Sequence, residues 1–111
     1  MHNELAFHTL TNLRAYLRRG DVTSVEIVEA CLARIAALDD RLHAYVAVYG
    51  GDALAGAQAA DLQRQSGMPV GPLHGLPIAL KDLLHLEGRA TTAGSKSWRG
   101  RISENTATVL V

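Results

Sequence analysis

The chain has 111 residues, 48% hydrophobic and 20% charged, which fits one globular domain or part of one and excludes a disordered polymer. Its 11 basic residues balance 11 acidic ones, so it lacks the basic excess of a nucleic-acid module or a polybasic membrane anchor. Cys31 is the 1 cysteine, which excludes an internal disulfide framework, and no apolar run reaches the ~18 residues of a membrane helix.

Met1-His2-Asn3-Glu4 has neither the basic nor the apolar stretch of a secretory leader, so a soluble, cytoplasmic protein is expected. Residues 5–19 place Leu10, Leu13 and Leu17 at helical spacing, with Arg18 and Arg19 near the C-terminal end and Gly20 as the stop. Thr23-Ser24-Val25-Glu26 has the hydroxyl-to-carboxylate spacing of a capping box. The helix it opens carries Val28, Cys31, Leu32, Ile35 and Leu38 on one face, and Asp39-Asp40 begins its exit. His43-Ala44-Tyr45-Val46-Ala47-Val48-Tyr49, rich in β-branched and aromatic residues, predicts a strand closed by Gly50-Gly51. Asp52 predicts the cap of a third helix, with Ala53, Ala57 and Ala60 on a side that permits close approach, closed by Ser66-Gly67. Residues 68–72 form a loop, Gly75 a turn, and residues 77–83 a second strand. The fold class expected is therefore α/β: a mixed β-sheet flanked by helices, here three to four helices and two strands.

Residues 88–100 read as irregular, and residues 106–111 as the start of another element. Val109-Leu110-Val111 is apolar and uncapped; it reads either as a short edge strand with a frayed terminus or as the opening of a longer structure. The expectation is that residues 1–111 are the front piece of a longer protein.

The lysines are Lys81 and Lys96; every other cation is an arginine. Lys81 lies in Leu76-Pro77-Ile78-Ala79-Leu80-Lys81-Asp82-Leu83-Leu84, and alternation puts it on the face opposite Ile78 and Leu80. An amine buried in such a strand needs a partner or gives up its proton. The plain alternative is a strand-end lysine reaching solvent, or pairing with Asp82 or Glu87. His43, His74 and His85 do not make a metal-ligand spacing, Gly71-x-x-x-Gly75 lacks the ending of a phosphate loop, and Cys31 sits on an apolar helix stripe where a core role is expected.

Gly71-Pro72-Leu73-His74-Gly75-Leu76-Pro77-Ile78-Ala79-Leu80-Lys81-Asp82, followed by Thr91-Thr92-Ala93-Gly94-Ser95, closely resembles the amidase signature family. Ser24-Val25-Glu26, Ala44-Tyr45-Val46 and the Ala53, Ala57, Asp61 spacing extend the resemblance over essentially the whole chain from Leu5. The resemblance implies hydrolysis of an amide C–N bond through a Ser–cis-Ser–Lys triad, with Lys81 as its base, no metal or organic cofactor, and a small-molecule amide substrate in the full-length protein. It implies that both serines belong to a Gly/Ser-rich stretch beyond these residues. Ser95 matches a position that is not the nucleophile in the family, and Thr106, standing where the family has Asp, is expected to cap a helix. The chain alone is thus expected to be inactive. A free-standing amidase is the first reading. The amidase subunit of a tRNA-dependent amidotransferase and a non-catalytic interaction module are the alternatives. Unpaired strand edges in so small a sheet predict self-association.

Overall fold

The computed structural model describes residues 2–111, which divide into one unit ending at Pro77 and a second, Ile78–Val111. Three α-helices occupy the first unit: α1, Leu10–Arg19; α2, Ser24–Leu42; and α3, Gly50–Gln65. A 3-10 turn, His2–Phe7, precedes them. The region expected to be one helix from residue 5 is therefore broken before Leu10. Thr9 takes an extended conformation and its hydroxyl accepts the Asn12 N–H at 3.1 Å, which starts α1 afresh.

At the other end of α1, Gly20 has φ +77°, and its N–H donates to Leu17 O while that of Asp21 donates to Tyr16 O. This paired closure needs the left-handed conformation that glycine adopts without a Cβ clash. The capping box of α2 forms as its sequence predicts: Thr23 Oγ1 accepts from Glu26 N at 3.1 Å, and Glu26 Oε2 accepts from Thr23 N at 2.8 Å. α3 starts at Gly50 with Tyr49 before it, so Asp52 lies inside the first turn, where a carboxylate suits the helix dipole, instead of capping it.

α2 packs against both α3 and the first 3-10 turn. Leu5, Leu13, Leu17, Val22, Ile27 and Ala30 form the core, with Tyr16 and Leu76 against it. Val28, Ala57 and Ala60 are also buried, whereas Cys31, Leu32, Ile35 and Leu38 are only half-buried. Burial pushes the Cys31 thiol pKa up, away from reactive thiolate.

The expected mixed sheet is absent: among the described residues there is no strand, only an isolated antiparallel bridge between Ala90 and Ile102. Both expected strands are corrected by the way their segments run. Residues 43–49 leave α2 through His43, whose φ is +49°, and the N–H groups of Ala44 and Tyr45 donate to Asp39 Oδ1 at 2.8 and 3.1 Å. The carboxylate thus takes the donors that a ladder would need, and Val46 is left 81% exposed. Residues 77–83 run extended and then turn, with Leu84 N donating to Lys81 O at 3.0 Å. No described segment supplies a ladder to this stretch, so its alternation buries neither face, and Ile78, Leu80 and Leu83 are all exposed. The sheet-edge basis for self-association falls with the strands.

The second unit is built from turns and the 3-10 turns Lys96–Trp98 and Thr108–Leu110. Antiparallel backbone bonds join Gly88 N to Ser103 O and Ser103 N to Arg89 O, each 2.9 Å. Thr106 caps no helix; its hydroxyl accepts Glu87 N at 3.1 Å, and Ala107 precedes the last 3-10 turn. No helix among the described residues is long and apolar enough to cross a membrane.

Candidate functional site

The first of the two motifs that carry the resemblance, residues 71–82, runs from the first unit into the second, and the second motif, residues 91–95, lies wholly in the second unit. In the first unit, residues 71–77 turn beside α3 and the start of α2. His74 Nε2 lies 3.0 Å from Ala60 O; a carbonyl only accepts, so this ring nitrogen carries the proton. Arg64 Nη2 donates to His74 O at 2.9 Å, and Arg64 Nη1 reaches Asp61 Oδ1 and Ser24 Oγ, both at 3.4 Å. Asp61 in turn accepts Ser24 N at 2.8 Å and Val25 N at 3.2 Å. A carboxylate from α3 therefore takes two of the free N–H groups that open α2, where the helix dipole favours negative charge. Gly75, at φ +80°, passes so near fully buried Ser24 that a Cβ there would overlap Ser24 Oγ. The glycine of this motif is needed for close approach as well as for its backbone angle.

In the second unit, Lys81 is exposed and Asp82 half-buried. Both Asp82 carboxylate oxygens are held by Thr92: Oδ1 accepts its N–H at 3.0 Å, and Oδ2 accepts its hydroxyl in a short hydrogen bond. Asp82 O accepts Ala93 N at 2.8 Å. Thr92 Oγ1 then accepts Gly94 N at 3.3 Å and Thr92 O accepts Ser95 N at 2.8 Å. The loop bends through two left-handed residues, Ala93 at φ +50° and Gly94 at φ +73°. Below it, buried Thr91 Oγ1 and Ser103 Oγ are 2.8 Å apart. The hydrogen bonds from Thr92 hold the Asp82 carboxyl below the usual carboxylate range.

Lys81-Asp82 and residues 91–95, read in the sequence as two separate matches, are thus one hydrogen-bonded object. The structure leaves Lys81 in solvent, and the carboxylate next to it in sequence is engaged by Thr92. Ser95 contributes backbone to the loop through its bond to Thr92 O. Sequence reasoning missed the Ser24, Asp61, Arg64 and His74 network. Asp61 and Arg64 are one helical turn apart on α3, a spacing that signals an ion pair. Nothing local shows that their partners are a helix start and a loop on other segments.

The chain belongs to the amidase family, whose model, described as Amidase, matches residues 26–111. Among its relatives, a glutamyl-tRNA(Gln) amidotransferase subunit of Chloroflexus aurantiacus is 46% identical over 107 residues, which are 96% of this chain and 22% of that protein. The corresponding subunit of Streptomyces coelicolor is 45% identical over 101 residues, 91% of this chain and 20% of that protein. A solved structure, described as an inhibitor-bound vestigial protein complex that reveals the evolutionary origins of an s-triazine catabolic enzyme, superposes with a TM-score of 0.87 at 31% identity. That match covers 93% of this chain and 23% of the other. The chain therefore spans about a fifth of the length of the relatives it matches.

Proposed function

We propose that residues 1–111 are the N-terminal part of an amidase-signature domain that breaks an amide C–N bond of a small-molecule substrate, with Lys81 as the catalytic base, in a cytoplasmic setting. The observation that carries this reading is the joining of Lys81-Asp82 to residues 91–95, since it ties the lysine's backbone to a second motif of the family. The unprotonated Nζ of Lys81 accepts a proton from a bridging serine, which accepts one from the nucleophilic serine. The nucleophile's oxygen bonds the amide carbon, the C–N bond breaks as the leaving nitrogen takes a proton, and water then hydrolyses the acyl-enzyme. Both serines come from the family's Gly/Ser-rich stretch, which these residues do not include. Lys81 becomes an effective base where a covering segment replaces the water around it.

A chimera tests this. Residues 1–111 replace the matching segment of the Chloroflexus aurantiacus protein, and ammonia release is measured from glutamine, asparagine and simple primary amides. The chimera is expected to turn over at least one of them, and Lys81→Ala to lower kcat by about 10³-fold or more, in the range of a lost general base in an activated-nucleophile unit. The isolated 111-residue chain is expected to show none. A folded chimera without turnover, or a Lys81→Ala chimera as active as its parent, overturns the reading.

The identity to two amidotransferase subunits favours a second, narrower reading: that the whole protein releases ammonia for a partner protein that amidates glutamyl-tRNA(Gln). This reading predicts that the chimera, mixed with the remaining Chloroflexus aurantiacus subunits, forms glutaminyl-tRNA. Hydrolysis without transfer to tRNA returns the choice to a free-standing amidase.

A further inference from the structure

We infer that Asp82 is a positioning residue, holding Lys81 in register by clamping residues 92–95 through Thr92. The inference rests on the reading of Lys81 as the base, and it adds a role for the residue beside it. A lysine carries its amine on a long, freely rotating stem, so a productive position for Nζ starts from an immobile backbone. Around Lys81 that immobility has two visible sources. On one side, Lys81 O accepts Leu84 N at 3.0 Å and closes a turn. On the other, Asp82 takes hydrogen bonds from Thr92 N, Thr92 Oγ1 and Ala93 N. Thr92 passes the constraint along, because its hydroxyl accepts Gly94 N and its carbonyl accepts Ser95 N. Removing the carboxylate leaves two donors of Thr92 without their acceptor and releases the loop.

Both carboxylate oxygens of Asp82 are engaged by Thr92, which commits this side chain to the loop. The same contacts account for a hydroxyl residue at position 92, where an isosteric valine would fill the space and keep the backbone N–H but offer no side-chain donor.

Two measurements test the inference. The first uses the 111-residue chain itself. Asp82→Ala and Thr92→Val should each raise amide hydrogen exchange at Ala93 and Leu84 at least tenfold, while Thr92→Ser, which keeps the hydroxyl, should leave it unchanged. The second uses the chimera described above. Asp82→Ala should lower kcat by about 10²-fold with KM nearly constant, the loss expected when a reacting group is misplaced by about 1 Å. Thr92→Val should cost a similar factor, the double variant no more than either alone, and Thr92→Ser should restore turnover. Exchange at Ala93 and Leu84 unchanged by Asp82→Ala overturns the clamp, whether or not the chimera turns over. Loosened exchange with unchanged kcat overturns the positioning role. A chimera in which Lys81→Ala abolishes turnover and Asp82→Ala does nothing refutes only the role of Asp82, whereas an active Lys81→Ala chimera refutes the base.

Discussion

Replacing Gly75 with alanine separates two costs that the structure assigns to this position. The first is conformational: Gly75 sits at φ +80°, and an alanine held in the left-handed region costs about 1–2 kcal/mol. The second is steric. The added Cβ would overlap Ser24 Oγ, while lying 3.0 Å from Arg64 Nη2 and 3.3 Å from Ser24 Cβ. Ser24 is fully buried at the start of α2 and its N–H is tied to Asp61, so it has little freedom to withdraw. Overpacking of this kind adds about 1–3 kcal/mol. Gly20 supplies the control, since it has nearly the same φ, +77°, and nothing within 4 Å of an added Cβ. Gly20→Ala should therefore cost the conformational part alone, and Gly75→Ala about 2–5 kcal/mol in total. Urea titration followed by far-ultraviolet circular dichroism reads the difference, because α1, α2 and α3 all lie before Pro77. Ser24→Ala in the Gly75→Ala background should recover most of the steric part, since it removes the overlapping oxygen. Equal midpoint shifts for the two glycine variants, or no rescue by Ser24→Ala, would refute the close approach of residues 71–77 to α2.

Ile27→Ala empties a fully buried site on α2 and should destabilise the helical unit by about 2–5 kcal/mol, whereas Leu62→Ala, at a residue 67% exposed, should stay within about 0.5 kcal/mol; urea midpoints check both. Asp61→Ala removes the acceptor of Ser24 N and Val25 N and should cost about 1–3 kcal/mol, with faster amide exchange at those two residues as the local signature. Asp82 titrates with a lowered folded-state pKa, so its contribution to the second unit is fully present above the ordinary carboxylate range and is lost as pH falls through the folded value. The Thr92 amide shift should accordingly move at a pH below that of an unperturbed aspartate, and a transition within or above the ordinary range would contradict the hydrogen-bonded pair.

Short-range patterns were the legible part of the fold. The capping box at Thr23 and Glu26, the Gly20 stop and the Gly67 exit are each contained in a few consecutive residues, and all three appear. The pairing of the Lys81-Asp82 motif with the Thr91-Thr92-Ala93-Gly94-Ser95 motif was legible as a family likeness, but only as two stretches of letters. Which atoms join them was not.

A helix satisfies its backbone within its own segment, so helical spacing in this sequence determined that α1, α2 and α3 exist, and the capping box fixed the start of α2. By contrast, α1 starts at Leu10 instead of residue 5, and α3 starts at Gly50 without the Asp52 cap. A strand takes its hydrogen bonds from another segment, and no property of residues 43–49 or 77–83 could say whether one would lie beside them. The tertiary structure decided that neither is paired, and that Asp39 takes the first donors after α2. It also decided that Asp61 opens α2 from α3, and that Asp82 holds Thr92 in place of its neighbour Lys81. Those choices depend on which donors come within about 3 Å of a carboxylate once the chain has folded, and distance along the sequence does not measure that.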